Sequence, residues 1–164
     1  MNNSKIEHIQ SKIYTLDALK LKVNQWKLLS KKVVFTNGCF DIIHQGHNYY
    51  LLQAAEFANK LVVAVNTDAS VKKLKGENRP IVDEYSRAFN LACHTYIDAV
   101  ILFDEETPLN LITTLQPDVL VKGGDYTLET IVGAKEVLSY GGSVEIIPFL
   151  EGFSSTETIE KIRS

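Results

Sequence analysis

The sequence predicts an α/β fold, a Rossmann-like doubly wound parallel sheet of about five strands in a single domain. Three observations lead there. Short apolar runs rich in β-branched residues recur through the chain, at 32–35, 61–65, 98–103, 119–121 and 144–148. Between them lie segments whose apolar residues return at helical spacing, and strand, helix, strand in alternation is the parallel crossover unit. The 164 residues, 45% of them hydrophobic, suffice for one core and are too few for two.

Residues 1–14 mix polar and apolar positions and predict a frayed arm, in which Ile9, Ile13 and Tyr14 can pack on the body of the domain. Thr15 has the chemistry of an N-cap, with Leu16, Leu19, Val23 and Trp26 at helical spacing behind it. The chain therefore divides into an arm and packing helix, 1–30, and a main domain, 31–164. In the latter, Lys32-Val33-Val34-Phe35 is stopped by Asn37-Gly38 and reads as a buried strand ending in a turn. From Gly46 onward Tyr50, Leu51, Ala54, Ala55 and Ala58 follow the helical period, which puts His47 in a first helical turn. Residues 61–65 are apolar throughout, as a strand covered on both faces must be. Asn66-Thr67-Asp68 closes that strand, and Lys72, Lys73, Lys75 and Arg79 then gather around Gly76.

Asp83 caps a predicted helix carrying Tyr85, Arg87, Phe89, Ala92 and Tyr96, on which Cys93 and His94 read as packing residues. After the strand at 98–103, Thr107 is an N-cap candidate with Pro108 at the first helical position, and this helix runs to about Leu115. Pro117-Asp118 turns the chain into 119–121, which stops at Lys122-Gly123-Gly124-Asp125. A helix over 133–140 ends at Gly141-Gly142. Ser154-Ser155-Thr156-Glu157 has the capping-box pattern and opens a short helix with Ile159 and Ile162 on its apolar side.

Composition narrows the function classes. A net charge of −3 offers nothing to nucleic acid or an anionic membrane. Cys39 and Cys93 are the only cysteines, which fits a reducing compartment rather than a disulfide scaffold. With no signal-like apolar core at the N-terminus and no run long enough to span a bilayer, the expectation is a soluble cytoplasmic protein.

The chemistry concentrates between Phe35 and His47. A strand, a loop and a helix N-terminus make an anion site, because the first helical N–H groups are unpaired and the helix dipole is positive there. His44 and His47, three apart, can point at one bound group. Gly38 is expected to take a backbone conformation closed to other residues, and Gly46 to let the backbone approach a ligand. Other readings compete: the histidines as capping and packing residues, a zinc site from Cys39, Asp41, His44 and His47, or a dinucleotide site, which lacks its G-x-G-x-x-G. The lysine run is either a solvated helix face or, lying beyond the carboxyl end of a strand, part of a ligand site. Gly123-Gly124 is either a plain loop or a second place of close backbone approach.

His44-Gln45-Gly46-His47, preceded by a strand and by Gly38-Cys39-Phe40-Asp41, resembles the signature of the nucleotidyltransferase superfamily related to class I aminoacyl-tRNA synthetases. With residues 66–76, Arg79-Pro80-Ile81, 103–108, 117–126 and 151–156, the chain is most similar within it to the adenylyltransferase domain of ADP-heptose synthases. The resemblance implies transfer of AMP from ATP to a heptose 1-phosphate, with release of pyrophosphate, for bacterial surface polysaccharide. It implies that His44 and His47 serve the α-phosphate and that Lys73 and Lys75, with Lys72, screen phosphates. Asn37, Gly38, Phe40, Asp41, Gly46, Arg87, Lys122, Gly124, Asp125, Ser154, Ser155 and Thr156 would form the nucleotide side. Asn66, Asp68, Lys72 and Arg79 would meet the acceptor. Mg²⁺ is expected to arrive with ATP rather than in a protein metal site, Asp41 orienting either a histidine or the magnesium shell. A homodimer and a separate sugar kinase are the expected partners. One departure is that Pro148-Phe149-Leu150 stands where related cytidylyltransferases carry an arginine. The rivals are a cytidylyltransferase acting on glycerol 3-phosphate or a similar alcohol phosphate, and a non-catalytic nucleotide-binding module.

Overall fold

In the computed structural model, which describes residues 4–124, 126–150 and 152–163, the chain alternates strands and helices almost throughout. The elements are α1 (Lys5–Gln10), β1 (Ile13–Tyr14), α2 (Leu16–Leu28), β2 (Val33–Gly38), α3 (Gln45–Glu56), β3 (Lys60–Asn66) and α4 (Asp68–Lys75). There follow α5 (Glu84–Ala92), β4 (Ala99–Phe103), α6 (Leu109–Leu115), β5 (Val119–Gly123), α7 (Ala134–Ser139), β6 (Ser143–Ile147) and α8 (Ser155–Arg163). The sheet order is β1-β4-β3-β2-β5-β6 with every pair parallel. The fold is thus the single-domain, Rossmann-like parallel sheet that the alternation predicts.

Strand alternation divides the core in two. Val33, Phe35, Val62, Ala64 and Leu120 face α2, α6 and α7, whereas Val34, Leu61, Val63, Val65 and Val121 face α3 and α5. Each face needs a helical layer because both sets are apolar, which is why these strands read as continuous hydrophobic runs. From β2 the chain winds outward through β3 to β4, then returns across the sheet to β5 on the other side of β2. At such a reversal the connecting loops diverge, leaving a crevice at the carboxyl ends of β2 and β5.

The structure departs from the sequence expectations, or decides between them, in five places. The first fourteen residues are no frayed arm from Ser4 onward: Ser4 and Glu7 form a reciprocal capping box on α1, and β1 adds a sixth strand beside β4. The Val100 amide donates to Lys12 O at 2.8 Å, and Lys12 Nζ donates to Ala92 O and His94 O at 2.9 Å each. A two-residue strand has no period to detect, so only its edge partner reveals it. Second, the lysine run lies on a regular helix, α4, capped by the Thr67 side chain. Third, α5 stops at Ala92 and does not reach Tyr96. Fourth, α6 begins after Pro108 and receives no side-chain cap, so Thr107 is not its N-cap. Fifth, the left-handed residue of the loop after β2 is Phe40, at φ 48°, rather than Gly38.

Because β1 covers the edge of β4 and Ile9 and Ile13 pack onto the α3/α5 face, deleting residues 1–14 exposes an apolar strand edge. Thermal unfolding should show a midpoint lowered by about 5 °C or more, with aggregation on heating. An unchanged midpoint would show that the segment merely rests on the surface.

Candidate functional site

A cleft of about 690 Å³ opens at the carboxyl ends of β2 and β5. A smaller cavity of about 520 Å³ lies at the opposite end of the sheet. There Lys27 Nζ is already taken up by the carbonyls of Leu115 and Gln116, and open α/β sheets do not bind ligands at that end.

His44 and His47 form one side of the cleft's floor. His44 is the N-cap of α3, in extended backbone at φ −138°, and its Nδ1 accepts from the His47 amide at 3.4 Å. The two imidazoles stack, centroids 3.9 Å apart and planes 22° apart. Phe40 packs edge-on to His47 at 5.5 Å and Phe153 lies over His44 at 6.2 Å. Gly46 makes this assembly possible: a Cβ there would stand 2.9 Å from Phe153 Cβ and 3.1 Å from His44 Nδ1. Burial pushes the pKa of both rings down. That of His47 falls to about 4, through its own desolvation first and the adjacent His44 second. His47 Nδ1 is also buried without a well-formed hydrogen bond. Near neutral pH the pair is therefore uncharged, with N–H groups to donate and room to take up protons when an anion arrives.

Opposite the histidines, Lys122 projects from β5 into the cleft. Its Nζ donates to Asn37 Oδ1 at 2.7 Å and lies 6.0 Å from the centre of the Tyr126 ring, while burial lowers its pKa. Ser154 caps α8, its Oγ accepting from the Glu157 amide at 3.3 Å, and Ser155 Oγ donates to Ile42 O at 3.0 Å. Thr156 also lines the cleft, as do Asn37, Gly38, Phe40 and Gly46.

Other candidates are placed differently. Of the three lysines on α4, only Lys75 lines the cleft; Lys72 and Lys73 point to solvent. At about 100° per residue, a helix cannot aim 72, 73 and 75 at one target. Asp41 orients neither histidine and has no lone pairs to spare for a magnesium shell. It is buried and accepts from Arg79 Nε at 2.6 Å, the Ile81 amide at 2.8 Å and the Val82 amide at 2.9 Å. Burial opposes its charge, but these amides and the Arg79 guanidinium outweigh it and hold the carboxyl below the ordinary range. That also removes Asp41 from the zinc reading, and the Cys39 thiol, pushed up by burial, faces Asn66 Oδ1 at 3.9 Å.

Arg87 does not reach the cleft. It is completely buried, donating from Nε to Val82 O at 2.9 Å, from Nη1 to Cys39 O at 2.5 Å, and from Nη2 to Asn66 O at 2.7 Å and Asp68 Oδ1 at 2.8 Å. Asp68 is thereby committed to Arg87, and Asn66, which does line the cleft, donates to Ser70 Oγ at 3.0 Å. Gly124 is buried with φ 111° under the Phe149 ring, so the close approach foreseen for it is made by protein. Asp125 lies outside the described residues. Arg79 lines the cleft, its Nε on Asp41. Sequence reasoning passed over Glu106, Tyr126 and Phe153 as cleft residues. Their signal was position in loops following strands, within the segments 103–108, 117–126 and 151–156 that carry the family resemblance.

Because the His47 ring titrates near pH 4 in the folded protein against about 6.5 when exposed, the unfolded chain binds the extra proton between those values. Stability is then complete above about pH 6.5 and falls as pH drops toward 4. Denaturation midpoints measured from pH 7.5 to 4.5 should decline, and less steeply in His47→Gln. Parallel declines in the two proteins would place the titrating group elsewhere.

Residues 35–161 match the sequence profile of the family described as cytidylyltransferase-like. The bifunctional protein HldE of Geotalea uraniireducens (strain Rf4) is 54% identical over 154 residues, 94% of this chain and 31% of its own length. That of Koribacter versatilis (strain Ellin345) is 53% identical over 152 residues, covering 93% and 31% respectively. The chain thus spans about a third of the length of these curated relatives. Among solved structures, the lipopolysaccharide core biosynthesis protein from Thermoplasma volcanium GSS1 superposes with a TM-score of 0.59 at 28% identity, over 73% of this chain and 97% of that one.

Proposed function

The chain belongs to the cytidylyltransferase-like family, and from that membership we propose that it transfers AMP from ATP to a heptose 1-phosphate, giving ADP-heptose and pyrophosphate for a bacterial surface polysaccharide such as lipopolysaccharide core. The observation that carries this reading is the stacked His44–His47 pair at the N-terminus of α3, in one cleft with Lys122 and the hydroxyls of Ser154–Thr156. The similarity to HldE proteins and to a lipopolysaccharide core biosynthesis protein supports the sugar.

The chemistry asks little of the protein beyond alignment and neutralisation. A sugar phosphate oxygen is already a competent nucleophile. It attacks the α-phosphorus in line, the new P–O bond forms, and the bond to the bridging oxygen breaks with its electron pair leaving on pyrophosphate. His44 and His47 donate to α-phosphate oxygens as charge grows there, aided by the unpaired amides of the α3 N-terminus. Lys122 and Lys75 neutralise the rest of the triphosphate. Among the described residues no group of three or more His, Cys, Asp or Glu side chains could hold a metal ion. Mg²⁺ arriving with ATP would be carried mainly on the phosphates, where it would neutralise charge on the leaving group.

His47→Ala should keep its cooperative fold and lose about a hundredfold or more in turnover. His44→Ala should behave alike, and the double variant should lose less than the product of the two, since both serve one phosphate. Near-normal turnover in a folded His47→Ala protein would return the histidines to a packing role.

The substrate is tested by pyrophosphate release with each nucleoside triphosphate and a panel of sugar and alcohol phosphates. ATP with heptose 1-phosphate should exceed CTP with glycerol 3-phosphate by at least about a hundredfold in kcat/KM, a margin a polar pocket achieves when the wrong partner leaves its groups unpaired. EDTA should abolish the reaction without moving the melting temperature. The family description keeps cytidylyl transfer as the second reading, and preference for the CTP pair would establish it. No turnover with any pair would leave a non-catalytic binding module.

A further inference from the structure

The cleft has two unlike halves. One carries the imidazoles, Lys75, Arg79 and Lys122; the other is apolar and aromatic, formed by Tyr126, Val132, Phe149, Leu150 and Phe153. The halves adjoin, because Phe153 faces the His44 ring and Tyr126 lies beneath the Lys122 ammonium. A ligand that satisfies both is a flat ring bearing a polyanionic tail.

Within the apolar half Phe149 is unusual. It leaves β6 just as that strand is tied to the end of β5 by the Gly124 amide donating to Ile147 O at 2.9 Å, and it lies back across its neighbour. A Cβ at Gly123 would meet Phe149 Cε1 at 3.0 Å, and one at Gly124 would meet Cε2 at 2.6 Å. Two opposite edges of one ring over two successive residues mean that the ring straddles the Gly123–Gly124 peptide. Only glycines allow so close a seat, and Gly124 also has φ 111°. Yet Phe149 is 69% exposed, so the seated ring leaves most of its surface bare. A large aromatic held on a backbone shelf with its outer surface uncovered, beside a cationic pocket, is a stacking platform with none of the other described residues stacked upon it.

Resting on the reading of the protein as a nucleotidyltransferase, we infer that Phe149, seated on Gly123–Gly124, stacks the base of the nucleotide while the triphosphate runs past Lys122 to the histidines. A purine overlaps the ring more fully than a pyrimidine, so the platform also favours ATP over CTP.

Calorimetry with ATP, CTP and inorganic tripolyphosphate tests this directly. Phe149→Ala should weaken ATP binding by about tenfold or more, narrow the preference for ATP over CTP, and leave tripolyphosphate within about twofold of the native protein. Phe149→Trp should bind ATP like the native protein, its indole emission quenched saturably by ATP and not by tripolyphosphate; the buried Trp26 supplies a constant background. The inference is overturned if Phe149→Ala binds ATP as well as the native protein does. Equal losses for ATP and tripolyphosphate would also overturn it, since the ring would then only prop up the loop. Failure of the native protein to bind any nucleotide would remove the proposed function and this platform together, whereas ATP binding independent of Phe149 removes the platform alone.

Discussion

The geometry of the cleft depends on one buried cation. Arg87 brings the ends of β2 and β3 and the loop before α5 to a single point, because its guanidinium donates to carbonyls of Cys39, Asn66 and Val82 and to the Asp68 carboxylate. An unpaired charge in so dry a place would cost several kcal/mol, so the three backbone segments must stay where their carbonyls can meet it. Asp41 reinforces the same joint with opposite sign, holding the amides of Ile81 and Val82 and the Arg79 guanidinium. Val82 is gripped through its carbonyl by Arg87 and through its amide by Asp41. The loop carrying Phe40 and the segment carrying Arg79 are thereby fixed relative to each other, and with them one wall of the cleft.

The electrostatics of the cleft follow from its burial. In a chain with net charge −3, several basic groups are gathered where water is scarce, and the pKa values of Lys122, His44 and His47 are pushed down. Burial, which disfavours the charged form, is the leading cause in all three. A polyphosphate entering the cleft would reverse the shift and strengthen every interaction it makes, because the medium is less polar than water. The stacked imidazoles show the same constraint at close range. Two rings 3.9 Å apart share protons poorly until a negative group lies beside them.

Glycines around the cleft mark where rings lie against backbone. Gly46 leaves room for Phe153 and His44, and Gly123 and Gly124 leave room for Phe149 and, under Gly123, Tyr50. Tyr50 in turn links the strands that flank the crevice: its hydroxyl is 2.6 Å from Thr36 Oγ1 on β2 and donates to Val121 O on β5 at 3.3 Å. The aromatic lining and the polar floor are therefore parts of one packed unit.

Much of this was legible in the chain itself. The apolar strands, the helical spacing after Gly46 and the pair His44 and His47 depend on residues near one another in sequence, and local periodicity decides them. That is why the parallel α/β fold, the helix start at the histidines and the Ser154 cap all stand as read. Two site assignments changed because the partners lie far away along the chain. Arg87 and Asp41 have the chemistry of ligand contacts, yet, Val82 O apart, the partners of Arg87 sit 19 to 48 positions distant and those of Asp41 38 to 41, and only folding shows that these charges are spent on the protein. Likewise β1 exists because β4 has an open edge, and Lys73 turns from the cleft because α4 is helical. Sequence specifies which groups are available within a turn or a strand; which of them remain free for a ligand is decided by burial, since a buried charge must find its partner wherever the fold brings one.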